Sequence, residues 1–148
     1  MVNILYIHGF NSSPKSMKAE LCHDYLLKHL PCRFYCPQVA SSPKAAIQQL
    51  ELIVRQHLDE QWVFIGSSLG GYLSTYLSEK YNAPAVLINP AIKPYELLTD
   101  YLGEQVNPYT NEVYLVDESF IGDLKDIEQI EINADNYFVM VQTEDEVL

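Results

Sequence analysis

The 148-residue sequence is poor in positive charge, with 9 Lys and Arg against 20 Asp and Glu, which gives a net charge of −11. Such a balance argues against nucleic acids and anionic membranes, whose binding needs basic patches, so we expect neither partner. No run approaches the ~20 apolar residues that span a bilayer. The N-terminus also lacks the basic region and apolar core of a secretory signal.

Cysteine is scarce, with Cys22, Cys32 and Cys36 alone. An odd number of cysteines without export features predicts reduced thiols and a cytoplasmic protein. The spacing of the three does not match the Cys-x-x-Cys pairs typical of zinc sites. His23 and His29 lie six residues apart in a helical pattern, so they point ~120° from each other. We therefore expect core thiols and no metal site. No motif in the sequence implies an organic cofactor.

Predicted strands and helices alternate, which indicates an α/β fold with a mostly parallel sheet and helices on both faces. The strands are Val2–Ile7, Arg33–Cys36, Trp62–Ile65, Ala85–Ile88 and Tyr137–Gln142. The helices run from about Pro14 to Leu30, from Pro43 through Leu58, from Leu69 to Tyr81, from Pro94 for a short stretch and from Asp117 to Ile130. Without a repeat or linker, residues 1–148 form a single domain.

A segment at about 94–116 follows one predicted strand and is rich in tyrosine and leucine. We expect mostly loop over 102–116, with one short strand at most. Because ligands bind beyond the carboxyl ends of parallel strands, its side chains could line an acyl pocket. A small lid that packs on the core without touching substrate fits the pattern equally well. The residues concerned are Tyr95, Leu97, Leu98, Tyr101, Leu102, Tyr109 and Tyr114.

The sequence Gly66-Ser67-Ser68-Leu69-Gly70 lies between an apolar strand and a helical pattern. This Gly-x-Ser-x-Gly context is typical of a nucleophile elbow, a strained turn that exposes the serine Oγ above the sheet. We expect Gly66 and Gly70 to permit close approach of neighbouring backbone. A Gly-Ser turn between two core elements is the alternative.

A second segment, His8-Gly9-Phe10-Asn11-Ser12-Ser13-Pro14, directly follows the first strand. A serine hydrolase needs two backbone N–H groups aimed at the developing oxyanion, one from the residue after the nucleophile and one from an early loop. Leu69 and Phe10 are the candidates for this oxyanion hole. Ser13 is predicted to cap the next helix, with Pro14 in its first position.

These strings resemble the YqiA-like esterases, small bacterial α/β-hydrolases. The similarity also includes Asn89-Pro90-Ala91-Ile92-Lys93-Pro94-Tyr95, Asn107-Pro108-Tyr109-Thr110 and Val141–Leu148. It implies an α/β-hydrolase fold, an esterase activity, Ser68 as nucleophile and Asp145 as triad acid. Glu144 replaces the glycine that the family usually has before that aspartate.

Family members continue through a further helix and strand to a loop that holds the catalytic histidine. This sequence has no histidine after Asp145, so the resemblance implies a chain that is incomplete at the C-terminus. The histidines present are His8, His23, His29 and His57. We expect His8 to hold its loop and the other three to be ordinary helix residues.

The sequence thus predicts a serine hydrolase, a carboxylesterase or acyl thioesterase, that acts on small acyl esters through an acyl-enzyme. An inactive α/β-hydrolase-like binding module is the alternative, because the triad histidine is missing. Epoxide hydrolases and dehalogenases are disfavoured, since they usually need Asp where Ser68 stands. The apolar strand from Tyr137 to Val141 has the composition of a strand buried on both faces. Its outer edge would lack a partner strand, which predicts self-association.

Overall fold

The computed structural model describes residues 1–141, which form three layers around a parallel sheet. The strands are β1 (Val2–Ile7), β2 (Cys32–Tyr35), β3 (Trp62–Ser67), β4 (Ala85–Ile88), β5 (Gly103–Val106), β6 (Val113–Val116) and β7 (Tyr137–Met140). The α-helices are α1 (Met17–His29), α2 (Pro43–Arg55), α3 (Leu69–Tyr81), α4 (Pro94–Leu97) and α5 (Glu118–Asp126), and 3₁₀ turns cover Leu98–Tyr101 and Ala134–Asn136. Within these residues, no helix is both long and apolar enough to cross a membrane.

Five strands form the main sheet in the order β2-β1-β3-β4-β7, and all are parallel. The register aligns Ile7 with Gly66, Ser67 with Ile88 and Ile88 with Met140. The carboxyl ends of β1, β3, β4 and β7 therefore meet at one edge of the sheet. Both segments that the sequence predicts to be catalytic leave the sheet at this edge.

Alternate residues of the strands pack against helices on opposite faces, as the period of a strand requires. Leu5 and Phe64 meet α2 and α3 in one core, whose helical members include Leu50 and Leu77. Ile4, Tyr6 and Ile65 meet Ala19 of α1 in a second core on the other face. A third cluster joins α3 to the 94–116 segment and α5 through Tyr72, Leu98, Val116, Phe120, Ile121 and Leu124.

The start of α1 differs from the sequence prediction. Ser16, not Ser13, caps the helix, because its side chain accepts a hydrogen bond from the Ala19 amide. Ser13 instead closes a turn of its own, in which its Oγ accepts from Lys15 N at 2.9 Å and its carbonyl from Ser16 N at 3.1 Å. Pro14 therefore lies in this turn, before the helix.

The apolar face of α1 is exposed to solvent. Met17, Leu21 and Tyr25 share one face, as predicted, but 77%, 62% and 64% of their surfaces are accessible. The contact with the sheet comes from the neighbouring face, where Ala19 is buried. The three thiols, Cys22, Cys32 and Cys36, are half-buried in this layer and form no disulfide.

Segment 102–116 contains two strands where the sequence predicted one at most. β5 and β6 form an antiparallel hairpin that pairs Gly103 with Val116 and Val106 with Val113. Other differences concern the ends of elements. β3 continues to Ser67, α2 ends at Arg55 and α5 at Asp126, and β2 is shifted by one residue to Cys32–Tyr35. Leu58, predicted to lie in α2, is outside that helix and exposed.

Candidate active site

Ser68 connects β3 to α3 in a strained backbone conformation. Its φ of 54° and ψ of −117° are backbone angles that residues with a side chain rarely adopt, and they cost about 1–3 kcal/mol. Three hydrogen bonds hold this turn: the Ser68 amide donates to Ile88 O at 3.1 Å, and the Ser68 carbonyl accepts from Gly71 N at 3.0 Å and from Ala91 N at 2.9 Å. The segments after β4 and at the start of α3 thus fix the serine at the sheet edge.

The two glycines that flank the serine allow close packing of backbone on backbone. A Cβ on Gly70 would lie 1.9 Å from the carbonyl oxygen of Ile7, and one on Gly66 would lie 2.2 Å from the carbonyl oxygen of Gly70. Real Cβ atoms do not approach other atoms this closely. The predicted reason for both glycines therefore agrees with the geometry, and α3 sits directly on β1 and β3.

The loop after β1 closes onto the serine turn through Gly9. A Cβ at this position would lie 3.2 Å from Ser68 Cβ and 3.1 Å from Ser67 O, so only glycine fits without displacement. Beyond it, Ser12 N donates to Gly9 O at 3.2 Å, and Asn11 adopts a φ of 55° at the corner of this turn. Phe10 is therefore presented next to the serine turn.

The two amides predicted to form an oxyanion hole are Phe10 N and Leu69 N. Phe10 occupies the second position of the turn, and Leu69 is the first residue of α3, where a helix leaves its amides without intrahelical acceptors. Among residues 1–141, neither amide donates a hydrogen bond to the protein. Both remain available to a ligand.

His8 is buried and uses both ring nitrogens to hold this loop. Its Nε2 accepts from Val39 N at 2.9 Å, and its Nδ1 lies 2.9 Å from the carbonyl oxygen of Gly9, to which it donates. Gln38 contributes a further contact from its amide to His8 Nε2 at 3.2 Å. Burial lowers the pKa of the imidazole, although the bond to Gly9 opposes this shift. The ring is therefore neutral and positions the loop.

The other three histidines are remote from the serine. His57 follows α2 at the opposite end of the sheet, where its Nδ1 lies 3.4 Å from Glu60. His23 and His29 belong to α1, whose first residue Met17 borders the pocket at Ser68. At 1.5 Å per residue, they lie about 9 and 18 Å along the helix from that residue. None of these is placed to act on Ser68.

Two pockets adjoin the loop after β1. One of about 220 Å³ is bordered by Ser68, and its wall includes Tyr6, Met17 and Lys18. The other, of about 40 Å³, is apolar and is bordered by Leu69, Leu73, Ala46 and Tyr114. Gly9 and Phe10 contribute to both walls. The loop thus separates a larger cavity at the serine from a narrow one behind it.

The tyrosine-rich segment 94–116 meets the site through Tyr101 of its 3₁₀ turn and Tyr114 of its hairpin. The ring of Phe10 contacts Tyr101 and Tyr114 edge to face, with centroids 5.7 and 6.2 Å apart. Tyr114 borders the narrow pocket, whereas Tyr95 donates its hydroxyl hydrogen to Glu128. Leu98 is buried in the cluster with α5, and Tyr109 is exposed. Leu98 and Tyr95 therefore behave as the small lid that packs on the core. Of the seven tyrosine and leucine residues predicted to line an acyl pocket, Tyr114 alone borders one of these two pockets within residues 1–141.

Asp145 and its neighbour Glu144 lie outside the described residues. Their predicted position depends on β7, which precedes them and ends at Met140. The carbonyl oxygen of Met140 accepts a hydrogen bond from Asn89 N at 2.8 Å, so β7 leaves the sheet at the same edge as Ser68. The role of Asp145 as triad acid stays a prediction.

Comparison with known families identifies the chain from residue 3 to residue 148, where it matches the uncharacterised protein family UPF0227. The chain belongs to this family. UPF0227 is the YqiA family, so the resemblance found in the sequence is confirmed over nearly the full length. The sequence strings at the serine turn, in the loop after β1 and in the later segments together predicted this membership.

Solved structures show the fold of this UPF0227 chain. It is similar to mouse alpha/beta hydrolase domain-containing protein 10, with a TM-score of 0.70 and 17% identity over 97% of this chain and 80% of that one. A monoacylglycerol lipase of Paleococcus ferrophilus matches with a TM-score of 0.61 and 14% identity, over 94% and 72%. A protein of Agrobacterium vitis S4 described as a hydrolase matches with a TM-score of 0.63 and 16% identity, over 86% of this chain and 61% of that one.

These similarities establish an α/β-hydrolase fold, as the sequence predicted. The chain spans less than two thirds of the Agrobacterium vitis protein, at 61% of its length. Identities of 14–17% show the fold alone, and the activity depends on the residues of the site.

Proposed function

We propose that this UPF0227 protein is a serine hydrolase, a carboxylesterase or acyl thioesterase that acts on small acyl esters. One observation supports this more than any other: Ser68 adopts a strained turn at the end of β3, and Gly9 packs against it. Strain of this kind persists at sites where it serves a function. The strand, tight turn and helix are the arrangement of a nucleophile elbow.

In the proposed reaction, Ser68 Oγ attacks the carbonyl carbon of an ester or thioester as its proton passes to a base. The Phe10 and Leu69 amides donate to the oxyanion, and the alcohol or thiol leaves with a proton. Water then attacks the acyl-enzyme and releases the acid and free Ser68. Asp145 would orient and stabilise the protonated base.

The base is the part of this scheme that the described residues do not supply. The ring nitrogens of His8 are engaged with Val39 and Gly9, which leaves no lone pair for the serine proton. The remaining histidines lie elsewhere. Among residues 1–141, no histidine is placed to accept the serine proton, and this observation favours one alternative function, a binding module that keeps the pocket without turnover.

The size of the cavity supports a small substrate. At about 220 Å³, the pocket at Ser68 is below the ~300–1,000 Å³ of typical ligand sites. The narrow pocket, which shares Gly9 and Phe10 with the larger one, adds only about 40 Å³. We therefore expect short acyl groups to react faster than long ones.

A fluorophosphonate probe tests the nucleophile. Fluoride leaves as the serine oxygen bonds to phosphorus, and the phosphoryl oxygen occupies the oxyanion site. We expect label at Ser68, located by mass spectrometry, and none in Ser68→Ala. Ser67→Ala is the matched control, because Ser67 borders the same pocket one residue away. Equal labelling of Ser68→Ala, or a label on another residue, would contradict the assignment.

Hydrolysis of short p-nitrophenyl esters separates the enzyme from the binding module. Without a well-placed base, an oxyanion hole and substrate binding still accelerate such reactions roughly 10³–10⁴-fold over water. We expect the wild type to hydrolyse the ester faster than this residual rate, and Ser68→Ala to fall to it. Tight binding of an ester without any Ser68-dependent hydrolysis would instead support the module.

A further inference from the structure

The β5–β6 hairpin is joined to the loop after β1 by two side-chain hydrogen bonds. Asn107 Nδ2 donates to Ser12 O at 3.0 Å, and the Tyr114 hydroxyl donates to Asn11 Oδ1. The partners are 95 and 103 residues apart in the sequence. The hairpin therefore braces two consecutive residues of the loop that carries Phe10.

Asn107 is well satisfied at the tip of the hairpin. Its Oδ1 accepts from Tyr109 N at 2.8 Å and from Thr110 N at 3.3 Å, while its Nδ2 makes the bond to Ser12. Only 6% of its surface is exposed. A buried amide with such bonds is costly to replace, because each lost partner leaves a polar group unpaired. The Oδ1 of Asn107 thus shapes the hairpin, and its Nδ2 holds the loop after β1.

The ring of Tyr114 contributes a second contact to the same loop. It meets Phe10 edge to face at 6.2 Å, and its hydroxyl reaches the adjacent Asn11. Asn11 is the residue with a φ of 55°, a left-handed conformation that asparagine adopts more readily than most residues, so the Tyr114 bond holds the loop at its corner. Gln38 adds a bond to Ser12 O at 3.0 Å from another element.

We propose that Asn107 and Tyr114 are positioning residues, which hold the Phe10 amide where it meets the substrate oxyanion. This inference rests on the proposed serine hydrolase. His8 fixes the start of the loop and the hairpin fixes its end, with Phe10 between them. Misplacement of a catalytic group by about 1 Å can cost 10²-fold in rate.

Two substitutions each remove one brace. Tyr114→Phe keeps the ring against Phe10 and loses the hydroxyl that bonds Asn11. Asn107→Asp keeps an oxygen for the Tyr109 and Thr110 amides, and replaces the donor to Ser12 O by a buried carboxylate oxygen that this carbonyl repels. Thr110→Val is the matched control, since Thr110 is exposed on the same hairpin and its Oγ1 accepts only from Glu112 N at 3.2 Å.

Kinetics and hydrogen exchange are then measured on the same proteins. With a short p-nitrophenyl ester, we expect Tyr114→Phe and Asn107→Asp each to lower kcat about tenfold, with KM changed less than about twofold, because the oxyanion forms only in the transition state. Amide exchange of a peptide covering residues 8–13 should become faster in both variants. Thr110→Val should match the wild type in both measurements.

The outcomes separate this proposal from the function on which it rests. Suppose that the wild type labels at Ser68. The positioning role is then overturned if kcat is unchanged in both variants, whether or not their melting temperature falls. If the wild type neither labels nor turns over, the proposed function fails. In that case hydrogen exchange alone tests whether the hairpin holds the loop. Faster exchange over residues 8–13 in the variants than in the wild type supports this, and equal exchange overturns it.

Discussion

The ring of His8 accepts a hydrogen bond from the backbone amide of Val39 at 2.9 Å, which ties the loop after β1 to the chain that follows β2. This bond requires an unprotonated Nε2. Protonation would place a donor against a donor, in a site where burial already lowers the pKa of the ring. The placement of the loop next to Ser68 is thus coupled to the charge of one histidine.

We predict that His8 makes the stability of the fold depend on pH. The unfolded histidine binds a proton near pH 6.5, whereas the folded one does so only at lower pH. Between these values the unfolded state holds more protons, so the free energy of unfolding falls as pH falls, by at most about 1.4 kcal/mol per unit. Urea unfolding at several pH values should show this slope.

His8→Gln should remove that slope and His29→Gln should keep it, since His29 is exposed on α1. A slope that is unchanged in His8→Gln would mean that other groups produce it. Overall stability is expected to fall in His8→Gln, but the comparison depends on the slope and not on its absolute level.

A second prediction concerns the contact of Gly70 with β1. Gly70→Ala would place a methyl group 1.9 Å from the Ile7 carbonyl oxygen. Only a movement of the backbone can relieve this clash. We expect the free energy of unfolding to fall by about 3 kcal/mol, the upper range for overpacking. Gly122→Ala in α5 is the control, because no atom lies within 4 Å of its added Cβ.

Gly122→Ala should stabilise the protein by up to about 1 kcal/mol, since alanine favours a helix over glycine. Chemical denaturation measures both variants. Similar stability of the two would show that α3 does not pack on β1 as closely as the structure indicates.

The third prediction tests Asp145 as the triad acid. Replacing a triad acid by its amide lowers kcat about 10⁴-fold, because the base is no longer oriented and stabilised. In a complete protein that also contains the predicted catalytic histidine, we expect Asp145→Asn to lower the kcat of Ser68-dependent esterase activity by about this factor. Glu144→Gln, at the adjacent residue, should change kcat less than about twofold by the same reasoning. The opposite result would place the acid at Glu144.

Local sequence signals were sufficient where one segment determines its own structure. β1, α3 and β4 have the predicted limits, because apolar runs between glycine, serine and proline signals define them. The β5–β6 hairpin was missed because its strands have four residues each, and Asn107–Glu112 lacks the Asn-Gly pair of a short turn.

Contacts between distant segments left no local signal. The bonds of His8 to Val39 and of Asn107 to Ser12 join residues 31 and 95 positions apart. Helical periodicity grouped Met17 with Leu21, but it does not reveal whether another element covers that face. A resemblance to a family predicted the site residues, which periodicity alone could not indicate.

The last prediction concerns the outer edge of β7. This strand pairs with β4, and within residues 1–141 no strand covers its other side. The composition of residues 137–141 predicted burial on both faces, yet Phe138, Val139 and Val141 are 64%, 52% and 72% exposed within the described chain. An unpaired apolar edge is a template for association with a second copy.

We therefore expect self-association that increases with salt. The net charge of −11 repels copies of the chain, and raising salt from about 0.1 M to about 1 M shortens the Debye length from about 10 to about 3 Å. Sedimentation velocity should show larger species at high salt for the wild type. Phe138→Lys should stay monomeric, since lysine on an edge strand opposes pairing. Ile130→Lys adds the same charge at a residue that is 90% exposed outside the strand, and should associate like the wild type apart from the change in net charge. A wild-type monomer at both salt concentrations would show that this edge does not pair between copies.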